Sequence, residues 1–148
     1  MGRDKHLAAL LFSEAGKVNG IEDYKSDINK IAGVISARIA NPKRFGETPL
    51  TQDQFSGIGG KEYMKVINGS LTDEEQGYYN IAVQKAYEIE NNKIQPSKAD
   101  HYVTKDLYNK TEGNKQWFKQ YPIVDESQYH NFMSEKEWQK LNSKKKKK

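Results

Sequence analysis

Apolar residues recur at helical spacing in the N-terminal half of the chain. Leu7, Leu10 and Leu11 fall on one face of a short amphipathic helix that Asp4 is placed to cap and Gly16 to stop in a left-handed turn. A polar loop over 17–25 follows. A second helix then runs from about Ser26 to Ala40, with Ile28, Ile31, Ala32, Ile35 and Ile39 on one stripe and Asn41-Pro42 as its stop. Residues 42–60 carry most of the breakers, Gly46, Pro49, Gly57, Gly59 and Gly60 among them, and read as a long irregular excursion. A short helix over Lys61–Asn68 ends at Gly69. Thr72 and Glu75 then form a capping box for a helix whose buried face is Tyr79, Ala82, Val83 and Ala86, fraying near Asn91-Asn92.

From Pro96 the helical period is lost. The run His101-Tyr102-Val103-Thr104 reads as a strand, part of a two- or three-stranded sheet. Ser134 and Glu137 make a second capping box, opening a terminal helix with Trp138 and Leu141. The pattern predicts an α+β, mainly helical single domain over residues 1–143 with a small antiparallel β-sheet, followed by a disordered lysine tail over 144–148.

Length and composition agree with one core. A chain of 148 residues is the size of one domain, and although 30% of residues are charged, the apolar segments are periodic enough to fold. The net charge of +4 turns slightly negative once Lys144 to Lys148 are set aside, so no specific nucleic-acid partner is expected of the folded part. The lysine run reads as a solvated tail. Its functional alternative is electrostatic attachment to a polyanion such as nucleic acid, teichoic acid or an anionic membrane. The absence of cysteine excludes disulfides and thiolate metal sites. No stretch approaches a transmembrane length, and Met1 to His6 lead into a helix rather than a signal peptide. The expectation is therefore cytoplasmic synthesis with phage-type release, a virion-associated protein, or an excised domain.

The stripe of the first helix, continued by offsets of three, four and seven, reaches position 14, which is glutamate. A carboxyl there lies where the core face should be and in the last turn, where the helix dipole disfavours negative charge. Apolar surroundings disfavour the ionised form further. A glutamate kept protonated near neutrality is what a general acid for glycosidic cleavage requires, and lysozyme relies on the same physics. The alternative is a boundary residue that reaches solvent.

The segments Leu7-Ala8-Ala9-Leu10-Leu11-Phe12-Ser13-Glu14-Ala15-Gly16 and Ile31-Ala32-Gly33-Val34-Ile35-Ser36-Ala37-Arg38 resemble the spore-cortex-lytic, SleB-type cell-wall hydrolase family. Gln54-Phe55-Ser56, Ala99-Asp100-His101-Tyr102, and Trp117 followed by His130-Asn131-Phe132 are similar to further pieces of that family, in its order. The likeness covers about His6 to Met133. It implies a lysozyme-like, mainly helical fold in which Glu14, ending the first helix, is the acid acting between N-acetylmuramic acid and N-acetylglucosamine. It also implies a lytic-transglycosylase mechanism, in which the sugar's own 6-hydroxyl attacks after the same glutamate becomes a base, so that no second carboxylate nucleophile is needed. The chain departs from the family's Glu-Ala-x-Gly-Glu pattern: Val18 takes the place of the second acid, and the nearest acids are Glu22 and Asp23. Hydrolysis by water, as in a muramidase, and loss of activity both stay open at this point.

Beside Glu14 the candidate substrate contacts are Gln54, Ser56, His101, Tyr102, Trp117 and His130. Both histidines either bond glycan acetamido and hydroxyl groups or stabilise the fold. Gln54 and Ser56 sit on a glycine-flanked loop that Phe55 anchors, while Tyr78, Tyr79, Tyr102 and Trp117 offer rings to sugar faces, with Tyr79 read as core. No metal site and no cofactor are expected: His6, His101 and His130 have no ligand spacing, and His6 is read as exposed. Gly57-Ile58-Gly59-Gly60 lacks the strand and the Lys-Ser or Lys-Thr of a phosphate loop. The partner expected is the peptidoglycan glycan strand. A non-catalytic cell-wall-binding or virion structural module that kept the fold is the competing reading, and a nucleic-acid binder using the lysine tail is a third.

Overall fold

The computed structural model describes residues 2–17, 19–46, 55, 57–113 and 116–146. Its helices are α1 (Gly2–Glu14), α2 (Ile21–Ile39), α3 (Pro42–Phe45), α4 (Lys61–Asn68), α5 (Asp73–Glu90), α6 (Lys105–Lys110) and α7 (Glu135–Lys146), with a 3-10 turn at Trp117–Lys119. The strands are β1 (His101–Thr104), β2 (Ile123–Glu126) and β3 (His130–Met133), antiparallel in the order β1-β3-β2. The described chain is thus α+β and mainly helical with one small antiparallel sheet.

α1 is more deeply placed than its leucine spacing suggests. Every residue from Leu7 to Phe12 is buried, because α5 and α4 pack against the helix and α2 flanks it. A helix apolar all round belongs inside a core, and each buried leucine contributes roughly 1.5–3 kcal/mol relative to an exposed one. Ala8 and Ala9, opposite the leucines, are small enough to let neighbours approach. The helix begins at Gly2, so Asp4 lies within its first turn rather than before it. His6 is half-buried rather than exposed, its Nδ1 2.5 Å from the Tyr63 hydroxyl.

The helix end corrects a second expectation. Gly16 has no left-handed backbone. Glycine is required there because the Tyr129 ring lies over it: a Cβ would fall 2.3 Å from two ring carbons. In the last turn Leu11 O accepts Ala15 N–H at 3.1 Å, and Lys17 Nζ donates to Phe12 O at 2.6 Å and, just beyond the helix, to Ala15 O at 3.3 Å.

α2 starts ahead of Ser26, at Ile21, because Gly20 (φ 101°) turns the chain sharply and Glu22 and Asp23 then complement the helix dipole in the first turn. Ile28, Ile31, Ala32 and Ile35 are fully buried, whereas Ile39 is exposed at the helix end. Tyr24 and Asp27 extend the buried face toward the N-terminus. The expected irregular stretch contains α3, begun by Pro42 in the first helical turn, where a missing N–H costs nothing.

α4 ends at Gly69 in the left-handed conformation, φ 68°, and both bonds of the Thr72–Glu75 capping box are made. The buried face of α5 is Tyr78, Ala82, Ala86 and Ile89, one register away from the expected Tyr79 and Val83. Val83 is 44% exposed, and Tyr79 is half-buried, edge-on to Phe12. Two stripes share Ala82 and Ala86, and docking on α1 and α2 selects between them.

β1 occupies the four residues its sequence suggested, paired to β3 with Tyr102 opposite Phe132 and Thr104 opposite His130. α6 follows directly, capped by Thr104 Oγ1, which accepts Leu107 N–H at 3.2 Å. At α7, Ser134 Oγ accepts Glu137 N–H at 3.0 Å, but the Ser134 N–H donates to Pro122 O rather than to Glu137. Asp100 completes the cap by accepting Glu135 N–H at 2.8 Å. α7 continues to Lys146, so the expected tail boundary at 144 falls inside a helix; lysine is a good helix former. Among the described residues no helix is long and apolar enough to cross a membrane.

Candidate active site

The order of burial along α1 places Glu14. Leu10 and Leu11 are fully buried, Glu14 is the last helical residue and half-buried, and beyond it the chain turns away through Gly16. The carboxyl therefore emerges from the core beside a cleft of about 180 Å³ lined by Glu14, Arg38, Phe55, Tyr102, Thr104 and His130, with Val103 and Leu107 at its apolar side. Five elements meet there: α1 brings the carboxyl, α2 the guanidinium, β1 the phenol, β3 the imidazole and α6 Leu107.

Gly57 fixes the carboxyl from the loop side. Its N–H donates to Glu14 Oε1 at a long 3.4 Å, and a Cβ on it would meet Ser13 Oγ at 2.7 Å and Glu14 Cδ at 3.0 Å. Glycine lets the backbone come that near. Burial pushes the Glu14 carboxyl above its ordinary value, against the Gly57 amide, His130, Tyr102 and Arg38, which all favour the charged form. Its place at the C-terminal end of α1 acts in the direction of burial.

The cleft is polar in a specific way. Arg38 is buried, with its guanidinium 4.6 Å from the Phe55 ring centroid and 5.0 Å from that of Phe45, and its Nε donates to Asp100 O at 2.8 Å. Such stacking suits a planar, always-charged group. The Tyr102 hydroxyl is closed off from water beside the Glu14 carboxyl, whose charged form it favours. Burial first, and the neighbouring Glu14 charge next, raise its pKa well above the ordinary value, so it remains a neutral phenol with a proton to donate.

His130 stands on a buried support. Its Nδ1 is 2.9 Å from Asp27 Oδ1, Asp27 is fully buried, and Tyr102 packs edge-on against the imidazole with ring centroids 5.2 Å apart.

Of the expected contacts, Tyr102 and His130 meet Glu14 in this cleft, and Gln54 and Ser56 lie outside the described residues. His101 and Trp117 stand outside its described lining. His101 is buried, bonded to Asp100 at 2.9 Å, with Phe45, Trp117 and Tyr121 rings 5.0–5.7 Å away, and Trp117 shows 45% of its surface at the edge of that cluster. Phe55 is buried in the core and also walls the cleft. Glu22, with 85% of its side chain exposed, pairs with Lys25, and neither it nor Asp23 lines the cleft. Tyr78 is core, edge-on to Tyr24.

Sequence reasoning missed Asp27 and gave Arg38 and Gly57 no role. Asp27 carried a signal: three residues after Tyr24 and four before Ile31, it sits on the apolar stripe of α2, by the same logic that singled out Glu14. Chemically, the site holds one carboxyl whose pKa burial raises, a guanidinium, a neutral phenol and an anchored imidazole. Among the described lining residues Glu14 is the sole carboxyl. Compared with protein-family profiles, curated proteins and solved structures, the chain matches none.

Proposed function

We propose that this protein cleaves peptidoglycan glycan strands between N-acetylmuramic acid and N-acetylglucosamine as a lytic transglycosylase, within a lysozyme-like fold of the SleB type. The observation that carries the reading is the Glu14 carboxyl: it terminates a core helix, is half-sheltered with a raised pKa, and is the single carboxyl among the described residues of a polar cleft.

One carboxyl is enough for this chemistry. Protonated Glu14 gives its proton to the glycosidic oxygen as the C1–O bond breaks, and charge develops on the sugar ring. The resulting carboxylate takes the proton of the muramic acid 6-hydroxyl as that oxygen closes on C1, which yields a 1,6-anhydro end and returns the acid. Double displacement by two carboxyl groups about 5–5.5 Å apart finds no partner for Glu14 in the described lining. His130 offers a polar contact to a hydroxyl or acetamido group, while the buried Arg38 guanidinium and Tyr102 phenol favour the charged form of Glu14 from behind. A phage endolysin or virion-associated lysin is a setting that suits such an activity.

Digestion of purified peptidoglycan by wild type and Glu14→Gln, read by mass spectrometry, tests the proposal. Anhydro-muramic ends from wild type alone are expected. Reducing muramic ends would replace transglycosylation by muramidase hydrolysis at the same carboxyl. Wall binding without fragments would favour the non-catalytic alternative.

A further inference from the structure

The geometry points to Asp27 as a positioning residue: its buried carboxylate holds the proton of His130 on Nδ1 and leaves Nε2 as the ring nitrogen available to the Glu14 cleft.

The protons around Asp27 can be placed one at a time. Ser127 Oγ accepts two backbone donors, Tyr129 N–H at 3.2 Å and His130 N–H at 3.1 Å. A serine oxygen has two lone-pair sites, so both are taken and its own proton is free to donate. It donates to Asp27 Oδ1, with which it makes a short contact. Asp27 Oδ2 accepts Gly16 N–H at 2.9 Å. Both oxygens of the buried carboxyl thus already receive donors, which leaves neither free to carry a proton of its own. An ionised Asp27 has no proton to give, so the 2.9 Å contact to His130 is Nδ1–H donating to Oδ1.

The consequence reaches the cleft. In neutral imidazole one nitrogen donates and the other accepts. With Nδ1 committed to Asp27, Nε2 is an acceptor, and the ligand group it meets is a donor: a sugar hydroxyl or an acetamido N–H, not a carbonyl. The same carboxylate ties Gly16, two residues beyond Glu14, to the β2–β3 turn through Ser127, so one buried group holds both the acid's helix end and the histidine. Among the described residues, the charged and titratable groups around this unit include Glu14, Arg38, Tyr102, Tyr24, Lys17 and Tyr129. The catalytic consequence rests on the reading of Glu14 as the acid; the tautomer does not.

Long-range proton–nitrogen NMR on the full chain labelled with nitrogen-15 histidine, at a pH where imidazoles are neutral, reads the tautomer directly. Wild-type His130 is expected to carry its proton on Nδ1. In Asp27→Asn it is expected to lose that tautomer while His101, held by Asp100, keeps its own. Wild-type His130 protonated on Nε2, or an unchanged spectrum in Asp27→Asn, overturns the assignment. Ser127→Ala keeps the carboxylate and is expected to keep the tautomer, so it serves if Asp27→Asn does not fold; loss of the tautomer there would assign it to the serine and overturn the role of Asp27.

On purified glycan strands, Asp27→Asn is expected to lower kcat/KM about a hundredfold or more, as loss of the correct tautomer does in a catalytic triad. His130→Asn should do the same, and the double variant no more. Additive losses overturn action through His130. A wild type that releases no fragments removes the functional reading, and the spectrum alone then decides the tautomer.

Discussion

Gly57 stands so near Glu14 that its missing side chain is part of the site: a Cβ would lie 3.0 Å from the carboxyl carbon and 3.2 Å from Oε1. Gly57→Ala should therefore displace both the Ser13 hydroxyl, which would lie 2.7 Å from the new methyl group, and the Glu14 side chain, both of them at the surface end of α1. A misplacement of this size is expected to slow glycan cleavage about 10- to 100-fold, with a stability loss of about 1–3 kcal/mol. Turnover assays and thermal melts of the variant check both parts; unchanged turnover would separate Gly57 from the chemistry.

Glu14→Gln should lose activity and gain neutral-pH stability together. Burial raises the Glu14 pKa in the fold, so over a window above the unfolded carboxylate value the native state keeps a proton that the unfolded chain has released. Stability is full below that value and falls as pH rises through the folded one. The amide does not titrate. The variant should match wild type in acid, exceed it near neutrality, and cleave about 10²–10⁴-fold more slowly. Melting curves across that range provide the measurement, and a variant less stable than wild type at neutral pH would contradict the buried-acid account.

Gly16→Ala should destabilise the protein by about 1–3 kcal/mol, because a methyl group enters the Tyr129 ring. For a chain of this size that corresponds to a drop in Tm of about 2–4 °C per kcal/mol. In a Tyr129→Ala background the same substitution should cost much less. Equal costs in both backgrounds would show that the ring is not the obstacle.

Asp100→Ala should weaken the start of α7 by about 1–2 kcal/mol, the usual loss of a helix cap. Burial pushes the Asp100 carboxyl up, but His101 and the Glu135 and Lys136 amides outweigh it and leave the pKa below the ordinary value. The contribution is therefore present above the unfolded carboxylate value and lost as pH falls through the folded one. The gap between wild type and variant should be widest near neutrality and close in strong acid, as read by denaturant titrations at several pH values.

Much of the scaffold was legible because it is made of local interactions. The Thr72–Glu75 box, the left-handed stop at Gly69 and the strand at His101–Thr104 each depend on residues within a few positions of one another, and each occurs where its residues suggested. Glu14 was legible for the same reason, as a break in a helical stripe. The errors lie where two local readings compete: Gly16 is a glycine for Tyr129 rather than for a left-handed turn, and α5 turns Val83 outward.

The sequence by itself determined the five longer helices and which carboxyl ends the first of them, since backbone bonding and side-chain period act over one or two turns. Only the tertiary structure decided that Leu7 to Phe12 of α1 are enclosed on all sides and that Asp27 and His130, 103 residues apart, meet at 2.9 Å. Contacts of that separation arise when β3 docks against α2, and they are set by complementary shape and by the need to satisfy buried polar groups, neither of which any short stretch of chain encodes.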